Sequence, residues 1–275
     1  MDLLDGAIDC HVHSYPDVIP RKVDDFELVE QARRAGMRAV VLKCHAGCTC
    51  ARAYLLNRLF PDFRVFGGVV LNDSVGSLNP RAVEAALQMG GLQVWMPTKS
   101  AANHKAHFGG RGGLSVLDGA KLRGEIIDIL RLVAAADANL ATGHLSPGES
   151  CILIQEALAL GVRRISVTHP EWGVTAMPVA RQQEFAQTRA VFFERCLVST
   201  QSDLQFKVGF DTIVGQIRAV GPATTVAATD YGMPQYPAPA EGMAALIRQL
   251  LQAGFTEAEI KLMVQVNPAK LLKLE

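Results

Sequence analysis

The chain predicts a (β/α)8 barrel with a metal site at the C-terminal ends of its strands. Eight short apolar runs rich in β-branched residues recur from one end of the 275 residues to the other. Each is followed by an amphipathic segment of helical length, and no linker or low-complexity stretch interrupts the alternation. Apolar runs buried on both faces and joined by helical crossovers build a parallel sheet, and eight such units close into a barrel. Residues 1–275 therefore read as one domain, a normal size for this architecture. An open doubly wound sheet is the alternative, but no Gly-x-Gly-x-x-Gly follows the first strand.

The first strand is expected over residues 7–13, ending in Asp9-Cys-His-Val-His13. Two histidines two apart on a strand point to the same side and can share one ion, while Cys10 and Val12 then face the helices. A helix over 24–35 stops at Gly36, where a left-handed cap is needed. The second strand, 38–43, ends in Lys43-Cys-His45. Beyond it Cys44, Cys48 and Cys50 lie in a spacing that fits neither structural zinc nor iron–sulfur patterns, and the six cysteines read as reduced thiols. A helix over 50–59, a strand over 64–71 and a helix over 80–89 follow.

The fourth strand, 92–97, carries Trp95 and runs into the longest connection, 98–121, which holds Lys99, His104, His107 and the flexible excursion Gly109-Gly-Arg-Gly-Gly113. A connection of that length on a compact barrel suits a lid or pocket wall. After a helix over 122–136, the fifth strand, 139–144, ends at His144. A helix over 148–160 with Gly161 behind it leads to the sixth, 164–169, which ends at His169 with Trp172 just beyond. A helix over 178–188 precedes the seventh strand, 191–198, where Glu194 beside Arg195 reads as a structural ion pair. A helix over 202–220 leads to the eighth, 224–229, followed by Asp230-Tyr-Gly232; a helix over 241–253 and the stretch Asn267 to Leu272 complete the chain.

In a parallel barrel every strand delivers its C-terminal end to one mouth. His11, His13, His144, His169 and Asp230 all stand at such ends, so one metal centre explains them better than four coincidences. For Asp230 alone, the competing reading is a turn cap. Neutral imidazoles leave a divalent ion Lewis-acidic, the ion lowers the pKa of bound water from ~15.7 toward ~7, and a carboxylate beside it can take the proton. Trp95, Trp172 and Tyr231 can line a substrate pocket or serve as packing.

Charge limits the partners. Lys plus Arg equals Asp plus Glu at 27 each, so nothing favours nucleic acid or an anionic membrane surface. No apolar run approaches the ~20 residues that span a bilayer, and the first residues lack a signal-peptide pattern. The expectation is a soluble, cytoplasmic protein with a small-molecule substrate; assembly into a homo-oligomer stays open.

Asp-x-His-x-His after strand one, then His, His and Asp after strands five, six and eight, resembles the amidohydrolase superfamily of metal-dependent hydrolases. More narrowly, Val-Leu-Lys43-Cys-His45, Phe66-Gly-Gly-Val-Val-Leu-Asn72, Val94-Trp-Met-Pro-Thr98, Ala141-Thr-Gly-His-Leu-Ser146 and Val167-Thr-His-Pro170 resemble an amidohydrolase-like family without an assigned substrate. The resemblance implies that His11, His13 and Asp230 bind the more buried ion, that His144 and His169 bind a second if two are present, and that Asp230 is also the base. It implies one or two divalent ions, zinc first, with manganese, iron or nickel as alternatives, and hydrolysis of a small amide, cyclic amide, lactone or ester by activated hydroxide. Binuclear members carry a bridging lysine or glutamate after strand four. Here Lys43 is the favoured site lysine, as bridge or as plain cation for a carboxylate or oxyanion, and Lys99 its competitor. His45 and His104 are further candidates for ligand or substrate contact. The closing segment after Asn267 resembles the last helix of these barrels. A phosphoesterase of a related barrel class would want a histidine where Gly232 stands. Decarboxylation on the same metal site and a metal-binding barrel without turnover are the remaining alternatives.

Overall fold

The computed structural model describes residues 3–274. Eight strands among the described residues are parallel: β1 (Ile8–Val12), β2 (Ala39–Leu42), β3 (Arg64–Phe66, resumed after Gly67 as Gly68–Val70), β4 (Gln93–Trp95), β5 (Asn139–Ala141), β6 (Ile165–Thr168), β7 (Val191–Cys196) and β8 (Thr225–Ala228). Each pairs with its neighbour in chain order. Past the end of β8, Asp230 N donates to His11 O and His13 N donates to Tyr231 O, both at 2.8 Å, so the last strand returns to the first.

Helices cover the outside: α1 (Asp25–Arg34), α2 (Cys50–Leu59), α3 (Pro80–Gln88), a short α4 (Ala102–His107) within the long connection, α5 (Gly124–Ala136), α6 (Pro147–Ala159), α7 (Val179–Ala186), α8 (Phe210–Val220) and α9 (Pro239–Gln252). Their starts follow sequence signals. Asp24 and Ser146 each accept from the backbone N–H three residues on, while Glu27 and Glu149 reach back, forming capping boxes. Among the described residues no helix is long and apolar enough to cross a membrane.

Two expected local features differ, and the long connection shows internal order. The segment expected to be helical from 202 is irregular until Phe210, because Gly209 caps α8 and Phe206 adopts a left-handed φ of 59°. The long connection after β4, expected as a lid or pocket wall, holds α4 and a two-stranded ribbon, Leu117–Asp118 with Lys121–Leu122, and its Lys99, His104 and Phe108 line the main cavity. Cys10 does not face the helices. The register of β1 on β2 slips between Asp9 and Val12, so three steps on one strand answer two on the other. That bulge puts Cys10 into the inner cluster with Ile8, Val41, Val70 and Trp95, while Val12 packs outward with Leu28 and Val29 of α1.

The glycine pair in the middle of β3 is a steric requirement. A Cβ on Gly67 would sit 2.6 Å from Cys50 Cα at the start of α2, and one on Gly68 would sit 2.2 Å from Gln93 O. Overpacking of this kind costs about 1–3 kcal/mol. Gly68→Ala is expected to lower the unfolding free energy by about 2 kcal/mol, and urea titration of both proteins checks it: equal midpoints would show that β3 and β4 can move apart freely.

Candidate metal centre

The strand ends turn inward by an unusual backbone route. His169 and Asp230 both adopt left-handed φ values, 49° and 52°, directly after β6 and β8, and Gly143 does the same at 60° just before His144. For residues with a Cβ this conformation costs roughly 1–2 kcal/mol, and such strain gathers where side-chain placement matters more than stability. At Gly143 no Cβ is tolerated at all, since it would lie 2.3 Å from Met96 O.

The result is a buried knot of imidazoles around one carboxylate. Asp230 Oδ1 lies 3.0 Å from His11 Nε2 and 3.1 Å from His13 Nε2, and Oδ2 lies 3.3 Å from His169 Nε2. The ligand atoms of His11, His13 and Asp230 fall within 4.8 Å of one another. Burial would raise the Asp230 carboxyl, but the surrounding imidazoles outweigh it and hold Asp230 well below the usual carboxylate range. Burial lowers His13 to about 3 and lowers His169 too, so both rings stay neutral near pH 7.

A second carboxylate sits behind the first ligand. Glu194 Oε1 is 2.6 Å from His11 Nδ1, and burial, which opposes its ionisation, is overcome mainly by His11, so Glu194 remains a carboxylate. The expected pairing with Arg195 does not form. Along β7 successive side chains point to opposite faces, so Glu194 and Cys196 look inward while Arg195 looks outward. There it binds Glu171 Oε2 at 3.0 Å, Gln216 Oε1 at 3.0 Å and Gln182 Oε1 at 2.9 Å. Cys196 Sγ lies 3.7 Å from His11 Nδ1 and forms a second set of ligand atoms with His11 and His169. Sequence reasoning missed Cys196 and underweighted Glu194; the signal was strand alternation counted inward from the mouth.

Lys43 lies in the cluster and Lys99 does not. Lys43 Nζ is 2.9 Å from His11 Nε2 and 5.4 Å from the centre of the Trp95 ring, and burial lowers its pKa. Lys99 is exposed on the rim of the cavity above. His144 stands apart from the carboxylate: its Nδ1 is 2.9 Å from His104 Nδ1, and its ring centre is 5.8 Å from that of His169. His45 stacks on His13 with ring centres 4.9 Å apart. A cavity of about 340 Å³ opens over these rings, lined by His13, His45, His104, His144, His169 and Asp230, with Trp172 and Phe108 on its wall. Trp95 is not a pocket wall. It is fully buried in the inner cluster beneath Lys43, and Tyr231 is likewise core, stacked on Tyr236.

The donor set suits a divalent ion. Glu194 takes Nδ1–H of His11; burial would lower this ring, but the Asp230 and Glu194 carboxylates outweigh it and raise its pKa, so a proton on Nε2 can bridge to Asp230. A divalent ion bound there would replace that proton between the ring and the carboxylate and would require the Lys43 ammonium, 2.9 Å away, to give up Nε2. His169 Nδ1 is buried without a hydrogen-bond partner, and its Nε2 points at the same carboxylate. His13 is held differently: Arg21 Nη2 is 3.0 Å from its Nδ1, so ligation through Nε2 requires that guanidinium to release the ring. Asp9, the head of the motif, takes no part in the cluster. It accepts from Thr229 Oγ1 at 2.6 Å, Thr229 N at 3.1 Å and His11 N at 3.2 Å, and burial still pushes its carboxyl up to about 7.

Several solved structures share this fold at low identity. An amidohydrolase from Pseudomonas aeruginosa superposes with a TM-score of 0.68 at 13% identity, covering 99% of this chain and 97% of that one. A candidate 2-pyrone-4,6-dicarboxylic acid hydrolase from Pseudomonas putida gives 0.64 at 13% identity, with 98% of each chain covered. An amidohydrolase from Burkholderia multivorans with bound zinc gives 0.63 at 14% identity, covering 97% of this chain and 99% of that one. These likenesses show that the chain shares the barrel fold of these proteins. No curated protein matches the sequence. A family model matches residues 6–194, more than half of the chain and a span that includes four of the five candidate ligand residues, His11, His13, His144 and His169, and the chain belongs to that family of unknown function, DUF6282.

Proposed function

We propose that this protein is a metal-dependent hydrolase of a small amide, cyclic amide, lactone or ester, working with one divalent ion, zinc first. The observation that carries this reading is the convergence of three imidazole Nε2 atoms on the Asp230 carboxylate, with Glu194 fixing the tautomer of the most buried one. His11, His13 and Asp230 would hold the ion and His169 would close its coordination. Three of the barrels that share the fold are described as hydrolases or amidohydrolases, and one of them carries zinc.

One ion rather than two is favoured by Lys43. Its ammonium already supplies a positive charge 2.9 Å from His11 Nε2, and His144 stands apart from the Asp230 carboxylate, its ring centre 5.8 Å from that of His169. When bound, the ion supplies the Lewis acidity that makes water deprotonatable near neutral pH. The chain does the rest. Asp230, ionised throughout the neutral range, accepts the water's proton and returns it to the leaving group. Lys43 faces the charge that develops on the carbonyl oxygen as it becomes tetrahedral. Glu194 holds His11 by its far nitrogen, the arrangement that sets ring orientation and ligand basicity in histidine metal sites. The aromatic wall of Trp172 and Phe108 limits water around the reacting bond. A buried lysine beside the reacting centre also suits decarboxylation, so substrate panels should record carbon dioxide release together with hydrolysis.

Protein purified without added metal is expected to contain close to one equivalent of zinc, manganese, iron or nickel by elemental analysis. Less than a few tenths of an equivalent, with none taken up on titration, would remove the basis of the proposal. Once a turned-over substrate is found, Asp230→Asn should reduce kcat by about 10²–10⁴-fold; near-normal turnover with the ion still bound would mean that the base lies elsewhere. Glu194→Gln should weaken metal affinity by about 10–100-fold, as read by competition with a chelator. An unchanged affinity would leave Glu194 as packing only.

A further inference from the structure

The wall of the main cavity divides by chemistry. Part of it is apolar and aromatic: Phe108, Trp172, Val198, Leu204, Met233 and Tyr236. Another part, made by Arg21, His45 and Lys99 with Ile19, is shared with a second cavity of about 280 Å³. These polar side chains form the partition between the two spaces, so a ligand in the main cavity meets them directly.

Of the three cations in this region, two are committed. Lys43 is buried against His11. Arg21 is held by Asp17 Oδ2 through Nη2 at 2.7 Å and through Nε at 2.8 Å, a pairing that stays in place when the guanidinium releases His13. Lys99 has no hydrogen bond or ion pair among the described residues. The acids nearby are occupied too: Asp230 lies among its imidazoles, and Asp203 accepts from Tyr236 Oη at 2.7 Å and from Gln235 Nε2 at 3.0 Å. The Lys99 charge nevertheless reaches into the site, adding to burial in lowering both His45 and His104.

A chain of hydrogen bonds fixes what His45 offers. Asn72 Oδ1 accepts from Thr98 N at 2.9 Å and Ser100 N at 3.2 Å, which assigns its amide nitrogen. That nitrogen donates to His45 O at 2.9 Å and to Thr98 Oγ1 at 2.8 Å. His45 Nδ1, at 2.8 Å, is the one acceptor within reach of the buried Thr98 hydroxyl among the described residues, so the hydroxyl proton goes to it. The neutral ring therefore carries its proton on Nε2, where no partner is present among the described residues. His45 presents a fixed N–H donor to the cavity, beside His13.

We infer that Lys99 and His45 form a carboxylate clamp, and that the substrate is a small aromatic or otherwise flat apolar acid whose ring lies against Phe108 and Trp172. This rests on the hydrolase reading only for the word substrate; the clamp itself is a binding site. One unpaired ammonium and one N–H donor match a monoanionic carboxylate. A phosphate dianion would call for a free guanidinium fork or a nest of backbone N–H groups.

The test is calorimetric titration of the full-length protein, as purified, with 2-naphthoate and with 2-naphthamide, a neutral probe of the same shape. The wild type is expected to bind the acid about tenfold more tightly than the amide. Lys99→Met, a change at an exposed position, should bring that ratio to about two or less while leaving amide affinity in place. His45→Phe should lower the ratio by about threefold. Phe108→Ala should weaken both probes alike and leave the ratio unchanged. Equal affinities in the wild type, a ratio that survives Lys99→Met, or no binding of either probe at millimolar concentration would each overturn the clamp. Any contact between the acid and a bound ion is common to wild type and Lys99→Met, so the change in ratio isolates the lysine. A ratio that depends on Lys99 in protein that takes up no metal would keep the clamp and discard the hydrolase.

Discussion

The seam between β1 and β8 is the constraint on which the rest depends. Three groups of bonds cross it: Asp230 N to His11 O, His13 N to Tyr231 O, and the two bonds that Asp9 accepts from Thr229. Each joins a residue within or next to the metal-ligand motif of one strand to its counterpart on the other. The same few contacts therefore close the barrel and bring Asp230 to His11 and His13. Buried, satisfied hydrogen bonds of this kind are costly to lose singly, because the partner left behind has no water to turn to.

Around that seam the chain spends backbone conformation on side-chain direction. A strand of regular alternation would send His11 and Cys10 to opposite faces, and a regular exit from β6 and β8 would carry His169 and Asp230 past the axis. The bulge in β1 and the left-handed residues at 169 and 230 correct both. Behind them Glu194, Arg195 and Glu171 form two separate buried arrangements on opposite faces of β7. One faces His11. The other ties the segment after His169 to the outer helices through Gln182 and Gln216. Buried charge of this kind carries a heavy desolvation cost; the three bonds of Arg195 offset it, while Glu171 Oε1 and Arg195 Nε have no hydrogen-bond partner among the described residues.

Much of this was legible in the sequence, because it depends on period and position. The eight strands and the residues at their ends follow from apolar runs and from what terminates them; His11, His13, His144, His169 and Asp230 each occupy the strand end expected of them. The bulge was not legible, since an extra residue in a ladder leaves no compositional mark, and with it went the direction of Cys10. Glu194 was misread because adjacency in sequence suggested a pair with Arg195, whereas on a strand adjacent residues point apart. Trp95 failed as a pocket residue for a similar reason: in a strand of only three residues, Gln93–Trp95, it sits one layer below the mouth. The order inside the long connection depends on α4, the ribbon and their contacts, which no local pattern announces.

The clasp between Asp9 and Thr229 has a consequence for how the protein is made. His11 and His13 are synthesised early, and the groups that complete their surroundings come from residues more than two hundred positions later. Through most of translation the nascent chain carries a His-x-His pair with no carboxylate to share and no last strand to lie against. Ions that meet it then are held, if at all, by a bare two-donor chelate. On the proposed reading, the ligand set is completed only when the eighth strand docks, because Asp230 joins His11 and His13 across that seam.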